Sequence, residues 1–262
     1  MRESLFVSRF FWLVMWFAAG TLLGFVVIPT VLVVARSGSA TFQSAGESQV
    51  LWALLNSFMC AGAAVVLAAL FGVPLAYILA TRVIVLKRLI EALVDLPLAV
   101  PHSVAGIALL WALGKPGLGG IVGWDFVGSY GAIIAAMLFV SLPYAVNGAR
   151  EGFGLVQQRL GDVARILGAS EWRVFWGVYL PIARRAVLAG LLLTWARAVS
   201  EFGAVVILAY HPMTAPVLIW HRFETGGLAA SGPVAALLLL CCLGVFLVLR
   251  LILWRRKPDA PA

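Results

Sequence analysis

The chain has 262 residues, of which 63% are hydrophobic and 11% are charged, and its formal net charge is +8. Soluble domains average about 45–50% hydrophobic and about 25% charged residues, so neither a soluble globular domain nor a disordered chain fits this composition. The charged residues lie between long apolar runs and form no single basic face, so the positive charge does not indicate binding to nucleic acid.

Six apolar runs predict six transmembrane helices. A hydrocarbon core of about 30 Å needs roughly 20 apolar helical residues, and every backbone polar group in lipid must be bonded within its own segment. The sequence therefore predicts an all-α integral membrane protein that forms a single transmembrane domain over residues 1–262. The predicted spans cover approximately residues 10–35, 51–80, 92–113, 127–149, 186–210 and 231–254.

The first apolar run, Phe10–Ala35, has basic flanks and could be a cleaved signal peptide. Its length exceeds the roughly 7–15 apolar residues of a signal-peptide core, so we expect it to remain as a helix. The Ser- and Gly-rich segment Arg36–Ser48 that follows predicts a loop.

The distribution of Lys and Arg predicts the topology. With both termini in the cytoplasm, fifteen of the nineteen Lys and Arg residues fall in inner segments, three (Arg36, Lys115 and Arg222) fall in outer segments, and Arg197 lies within a span. Because inner loops of membrane proteins are enriched in Lys and Arg, we expect both termini to be cytoplasmic. The basic tail residues Arg255, Arg256 and Lys257 belong to the inner set.

The third span contains Pro97 and Pro101, which should bend or break its helix and leave carbonyl groups free. A bent helix could place His102 and Ser103 on a translocation path. The alternative interpretation is that His102 is a structural residue, hydrogen-bonded between helices. The three histidines have no metal-ligand spacing, and no metal site is expected. The three cysteines lie in apolar runs and are interpreted as packing residues.

The segment 150–185 is long enough to hold cytoplasmic structure. Residues up to Leu167 have helical spacing, Gly168 can end that helix in a left-handed conformation, and Ser170 can cap a second short helix. Leu180-Pro181 is expected to close the second helix and turn the chain toward the fifth span. Ala164 and Ala169 would let another protein approach closely, whereas an amphipathic hairpin resting on lipid is the alternative.

The fifth span carries Arg197 and Glu201, which share one face of a continuous helix at a spacing of four residues. Charged residues inside a membrane usually face a cavity or a partner. The pair is therefore either a buried structural ion pair or part of the outer gate of an anion pathway.

The cytoplasmic segment resembles the EAA loop of ABC importer permeases. That motif has an acid, two small residues, three further residues, a glycine and a later Leu-Pro, and here Asp162 replaces the usual glutamate and Val163 the first alanine. The residues that match it are Asp162, Val163, Ala164, Gly168, Ala169, Ser170 and Pro181.

The resemblance implies a permease subunit whose coupling helix docks on a separate ATPase. It implies as partners a second copy of this chain, two ATP-binding cassette subunits, an extracytoplasmic oxyanion-binding protein and membrane lipid, and it places the chain in a prokaryotic plasma membrane. No nucleic-acid partner and no cofactor in this chain are expected, since ATP and Mg would bind the partner ATPase. This chain has no P-loop, so it is expected to be a transport subunit and not an enzyme.

A narrower resemblance to molybdate and tungstate permeases covers residues 50 to 250. It is carried by Pro101–Ile107 and Ser200–Ile207, and it implies a tetrahedral oxyanion as substrate. Sulfate or another anion is the alternative substrate, and an ATP-independent carrier or intramembrane enzyme is the alternative class. The candidate path or gate residues are His102, Ser103, Arg197, Ser200 and Glu201.

Overall fold

The computed structural model describes residues 2–123 and 126–254, with side chains described over 10–123, 126–248 and at 251. The basic tail residues 255–257 lie outside the described part. All regular elements in the described ranges are helical. The α-helices are α1 (Arg2–Ser44), α2 (Ser48–Leu67), α3 (Val73–Thr81), α4 (Lys87–Ala99), α5 (His102–Leu113), α6 (Leu118–Val122), α7 (Tyr130–Gly154), α8 (Gln158–Ile166), α9 (Glu171–Val174), α10 (Leu180–Val199), α11 (Gly203–Leu208) and α12 (Ala215–Trp254).

Six helical segments are long and apolar enough to cross a membrane, as the sequence predicts. Each exceeds the roughly 20 residues that one crossing needs. They are Phe10–Ser44, Ser48–Thr81, His102–Val122, Tyr130–Gly154, Glu171–Val199 and Ala215–Val248.

The helix boundaries depart from the prediction at both ends of the chain. The predicted loop Arg36–Ser48 is wrong, because α1 continues to Ser44 and only Gly38 leaves the helical region (φ 49°, ψ −132°). The last helix starts at Ala215 and contains a second such residue, Gly227 (φ 64°, ψ −155°). Glycine adopts positive φ without steric cost, so helical runs resume on either side of each kink.

The prolines act as predicted in the third span. Helix α4 ends at Ala99, and α5 begins at His102 with Pro101 as its N-cap residue. Pro97 lies inside α4 and is buried. The predicted third span, 92–113, is therefore broken immediately before His102, and the helical segment of membrane-spanning length here is His102–Val122 instead.

The expected turn at Leu180-Pro181 is absent. Helix runs without interruption from Glu171 to Val199, and Phe175–Tyr179 forms a π-helical turn directly before α10. A similar π-helical turn, Ala68–Gly72, comes two residues before Pro74. Proline cannot donate to the carbonyl four residues earlier, and a wider turn at that carbonyl lets the helix continue.

The chain divides into two compact units. One contains Met1–Val50 and Ile219–Leu247, and the other contains Leu51–Leu218 and Val248–Ala262. The candidate site residues of the sequence analysis all belong to the second unit. The single transmembrane domain stays a prediction.

Helices α7 and α10 form the central contact of the second unit. A Cβ atom added to Gly148 of α7 would lie 2.8 Å from the Gly190 Cα atom of α10. One added to Gly152 would lie 2.6 Å from the Ala186 Cβ atom. Small residues let membrane helices approach closely enough for their backbones to make van der Waals contact.

Helix α4 is held against α7 by polar contacts. The Asn147 side-chain amide donates to the Asp95 carboxylate at 2.6 Å. Arg150 and Glu91 form an ion pair at 2.7 Å. Such contacts stabilise helix association where water does not compete for the polar groups.

An aromatic cluster lies beside the ends of α3 and α7. The Tyr77 ring contacts the rings of Phe153, Phe175 and Tyr179 edge-on, with centroid separations of 5.5, 5.0 and 5.2 Å. This geometry is favourable for aromatic pairs. Phe153 and Tyr179 are buried, so the π-helical turn before α10 packs against the core of the unit.

In the first unit, Arg222 donates to both carboxylate oxygens of Glu47 and contacts the Gln49 side chain. The Arg222 guanidinium holds the pKa of Glu47 below its usual range. The ion pair links the segment between α1 and α2 to the first part of α12.

We expect Gly148→Ala to lower the melting temperature of the protein in detergent, because the new methyl group would collide with the backbone of α10. Overpacking of this kind costs about 1–3 kcal/mol. Gly154→Ala is the matched control, since a Cβ there meets open space at the end of the same helix. Equal melting temperatures for the two variants would contradict the close crossing.

The Glu47–Arg222 pair predicts a pH-dependent stability difference between wild type and Arg222→Gln. The folded pKa of Glu47 is lowered, so the pair stabilises the fold above the unfolded pKa of about 4.3 and loses this effect as pH falls through the folded pKa. Melting temperatures measured between pH 3 and pH 7 should therefore differ most at pH 7 and converge in acid. A difference that grows in acid would contradict this assignment.

Candidate functional site

The turn predicted around Gly168 is confirmed. Gly168 has φ +85°, and its N–H donates to the Arg165 carbonyl at 2.9 Å. The Ala169 N–H donates to the Ala164 carbonyl, also at 2.9 Å. These two bonds form a Schellman motif, which ends α8 and satisfies carbonyl groups that the helix leaves free.

Ser170 caps α9, as its position predicts. Its hydroxyl oxygen accepts a bond from the Arg173 N–H at 3.4 Å. Glu171 lies in the first turn of α9, where a carboxylate interacts favourably with the helix dipole. We call residues 158–174, which comprise α8, the turn and α9, the coupling segment, after the role that the resemblance to the EAA loop predicts for it.

Arg165 braces the coupling segment from within. Its guanidinium donates to the Asp162 carboxylate at 3.0 Å and to both carboxylate oxygens of Glu171 at 2.9 and 3.2 Å. The Glu171 carboxylate raises the pKa of Arg165 further above its usual range. Arg82, directly after α3, also contacts Glu171, at 3.1 Å. The turn is thus connected to a transmembrane helix as well as to α8.

One side of α8 is apolar and exposed. Ile166 is 83% exposed, Leu167 81% and Leu155, just before the helix, 84%. Asp162 and Val163 are exposed beside them. The face that the EAA pattern predicts as a docking surface is therefore unburied within this chain.

The opposite side of α8 packs on the membrane-spanning helices. Ala164 and Ala169 are half-buried and pack against the buried core of the second unit. The expectation that they let another protein approach closely stays a prediction. Gly161, which the sequence analysis did not single out, is buried, and a Cβ there would lie 2.9 Å from the Tyr179 ring. Its position inside a short helix could have indicated a close contact, because glycine lowers helix stability and is therefore unusual there without a packing reason.

Four of the five predicted path residues meet at the end of α10. Arg197 Nη2 lies 2.7 Å from Glu201 Oε2 and 2.6 Å from His102 Nε2. Arg197 Nη1 donates to Ser200 Oγ at 3.2 Å, and His102 Nδ1 lies 3.6 Å from Glu201 Oε2. We call His102, Arg197, Ser200 and Glu201 the ion cluster. Ser103, the fifth residue, is exposed.

Arg197 and Glu201 do not share one continuous helix. Helix α10 ends at Val199, and Glu201 lies in the break before α11. Its Oε1 atom accepts the Ala204 N–H at 2.8 Å, so the carboxylate bonds α11 as well as Arg197. The predicted span 186–210 is therefore two helices.

Glycines bring His102 to Glu201. A Cβ on Gly203 of α11 would lie 2.7 Å from the His102 Cβ atom, and one on Gly106 of α5 would lie 3.1 Å from the Ala204 Cα atom. The two short helices can approach this closely only with glycine at these positions. The ion cluster therefore depends on breaks in both the third and the fifth spans.

Polar residues of α2 hold the chain that follows α11. The Asn56 amide donates to the Met213 carbonyl at 3.0 Å, and Ser57 Oγ accepts the Ala215 N–H at 2.8 Å. The Tyr130 hydroxyl donates to Asn56 Oδ1 at 3.2 Å. Asn56 and Ser57 were not predicted as site residues, although a polar Asn-Ser pair within an apolar run indicates a contact inside the membrane.

The fold and these two clusters define a multi-pass membrane protein with an exposed helical hairpin beside its transmembrane helices. Residues 72–256 match the family described as the inner membrane component of binding-protein-dependent transport systems. The chain belongs to this family of ABC importer permeases, which are transport components.

Two relatives illustrate the similarity in sequence. The molybdate/tungstate transport system permease protein of Thermococcus kodakarensis is 40% identical over 96% of this chain and 100% of its own length. A probable sulfate transport system permease protein of Chlorokybus atmophyticus is 33% identical over 76% of this chain and 73% of its own length.

Solved structures show the same fold at low sequence identity. A bacterial ABC transporter that imports the acidic polysaccharide alginate has a TM-score of 0.67 at 14% identity, over 95% of this chain and 97% of that chain. The inward-facing MetNI methionine ABC transporter has a TM-score of 0.64 at 16% identity, over 81% of this chain and 100% of that chain.

We expect Arg165→Gln to loosen the coupling segment, because it removes the charge that joins Asp162 to Glu171. Amide hydrogen exchange over residues 158–171 should then be faster by roughly tenfold, which corresponds to about 1.4 kcal/mol. Arg159→Gln, at an exposed arginine of the same helix, is the control. Equal exchange in the two variants would show that Arg165 does not brace the segment.

Proposed function

We propose that this chain forms the translocation path for a tetrahedral oxyanion, molybdate or tungstate, in an ATP-driven importer. The observation that carries the substrate assignment is the 40% identity with a molybdate/tungstate permease along that protein's entire length. The sulfate permease relative supports sulfate as a second candidate, at lower identity and over a shorter part of both chains.

The working assembly in this proposal contains two copies of this chain, two ATP-binding cassette subunits and an extracytoplasmic oxyanion-binding protein. ATP and Mg bind the cassette subunits. The chain lies in a prokaryotic plasma membrane with both termini in the cytoplasm. The excess of Lys and Arg in the inner segments supports this orientation.

The coupling segment is the proposed contact with the ATPase. Asp162, Val163, Ile166 and Leu167 offer an exposed face that combines apolar side chains with one acid. Arg165 and the Schellman turn at Gly168 hold that face at a fixed angle to α9. A braced segment transmits displacement, whereas a flexible loop would absorb it.

The displacement has a direct route into the membrane. Helix continues from α9 through the π-helical turn Phe175–Tyr179 into α10, which carries Arg197 at its far end. Alternating access would arise when ATP binding draws both coupling segments together. Moving the equilibrium between the inward-open and outward-open states from 1:99 to 99:1 takes about 5.5 kcal/mol of differential binding, which nucleotide and a docked binding protein would supply together.

The ion cluster, together with Ser103, is the proposed path or gate. Glu201 is 1% exposed, while the side chains of Arg197 and His102 are 20% and 39% exposed. Partly exposed charged and polar groups among transmembrane helices usually face water or a partner. A path at this place would begin beside the breaks in the third and fifth spans.

ATP hydrolysis by the complete complex tests this function. We expect loaded binding protein to stimulate hydrolysis with molybdate or tungstate and not with sulfate or phosphate. Gly168→Val should reduce the stimulation roughly five- to thirtyfold, because a side chain in the left-handed conformation costs about 1–2 kcal/mol. Gly154→Val is the control, since its Cβ meets open space.

Each other result contradicts a defined part of the proposal. Stimulation by sulfate alone would show that sulfate, and not molybdate or tungstate, is the substrate. Undiminished stimulation in Gly168→Val would remove the coupling role of the turn. Oxyanion transport by the chain alone in liposomes, without ATP, would favour an ion-driven carrier.

A further inference from the structure

We infer that Arg197, His102 and Ser200 form a contact site for the tetrahedral oxyanion inside the permease, and that Glu201 competes with the oxyanion for Arg197. This inference rests on the proposed function, and it adds a binding step within this chain. It assigns Glu201 the role of an internal anion that keeps the site from holding its substrate tightly.

Among the four side chains, the acid is buried and the positively charged group is partly exposed. Glu201 is 1% exposed, whereas Arg197 is 20% exposed and His102 is 39% exposed. Ser200 is also exposed. A solute that reaches this place therefore meets a guanidinium, an imidazole and a hydroxyl group before it meets the carboxylate.

These three groups suit an oxyanion chemically. A guanidinium presents several N–H donors in a planar fork that matches two oxygens of one anion. Ser200 Oγ accepts from Arg197 Nη1 at 3.2 Å and donates to the Arg197 carbonyl at 3.0 Å, and its hydroxyl group can bond a third oxygen of the same anion by rotating away from that carbonyl. The imidazole of His102 adds a further donor through whichever ring nitrogen carries hydrogen.

Glu201 is anchored so that it can release Arg197 without leaving its place. Its Oε1 atom accepts the Ala204 N–H at 2.8 Å, and its Oε2 atom accepts from Arg197 at 2.7 Å. An oxyanion can take the place of Oε2 at Arg197 while Oε1 keeps its bond to α11. The exchange replaces one anionic partner of the guanidinium with another.

The charge balance explains why the site would be weak. Arg197 and Glu201 carry opposite charges, so the pair has no net charge to retain a dianion. An importer needs this property, because a substrate bound tightly inside the permease would not leave it. Without the Glu201 charge, the site should bind the oxyanion more tightly and release it more slowly.

Molybdate binding to Glu201→Gln is the decisive measurement. The complex of permease and ATPase, without binding protein, is placed in nanodiscs, and retained molybdenum is measured by equilibrium dialysis. We expect Glu201→Gln to bind molybdate at least about tenfold more tightly than wild type, because the glutamine keeps an acceptor for the Ala204 N–H but frees Arg197. Uptake by the complete transporter should fall at the same time.

The matched control is Glu47→Gln, which removes the acid of another Arg–Glu pair in the same chain and should leave molybdate binding unchanged. The double variant Glu201→Gln/Arg197→Gln should lose the gain, since the guanidinium is the group released. An assembled Glu201→Gln complex that binds no more molybdate than wild type overturns the inference. So does a gain that persists without Arg197, or one that Glu47→Gln shares.

A second pair of variants decides the question if Glu201→Gln fails to assemble. Arg197→Lys keeps the charge but loses the fork, and Ser200→Ala removes one exposed hydroxyl group. Each should lower molybdate uptake per ATP hydrolysed by roughly threefold or more, the effect of losing a single hydrogen bond. Unchanged uptake per ATP in both variants overturns the inference.

The proposed function is tested separately by the wild-type complex. If loaded binding protein does not stimulate ATP hydrolysis in wild type, the oxyanion importer itself is wrong. If wild type is stimulated by molybdate and these variants behave like wild type, the importer stands. In that case the ion cluster has a structural role only.

Discussion

The close crossing of α7 and α10 is the contact on which both candidate sites, the coupling segment and the ion cluster, depend. Gly148, Gly152 and Gly190 allow the two backbones to touch, and no larger residue fits at these places without moving a helix. Helix α10 holds Arg197 near one end, and helix continues from its other end into the coupling segment. The packing of α10 against α7 therefore fixes where the coupling segment and the proposed path lie relative to each other.

Sequence patterns predicted what depends on single residues and short spacings. Apolar length predicted six spans, and Gly168 and Ser170 predicted the turn between α8 and α9. The meeting of His102 with Glu201 was not predictable, because it depends on glycines ninety-seven positions apart in two broken helices, Gly106 and Gly203. The brace at Arg165 was also missed. Asp162 and Glu171 are the acids nearest to Arg165 in sequence, but only the turn geometry brings Glu171, six residues away, to its guanidinium.

The errors of prediction share a physical cause. Loop composition suggested that Arg36–Ser48 is a loop, and Leu-Pro suggested a turn at residue 181, yet helix continues through both places. In a bilayer an unbonded backbone group costs several kcal/mol, so a chain retains helix wherever local geometry can absorb a glycine or a proline. Rules drawn from water-soluble proteins therefore overestimate how often such residues end a helix.

The π-helical turn before Pro181 has a consequence for the way side chains are oriented along this segment. An α-helix turns about 100° per residue, and a π turn needs more residues to complete one revolution. Residues before Phe175 therefore face directions different from those that a single helical wheel drawn from Glu171 to Val199 would assign. The same offset applies across Ala68–Gly72 in the second span. Amphipathic faces in these two spans have to be assigned separately on each side of the turn, or lipid-facing and protein-facing residues will be interchanged.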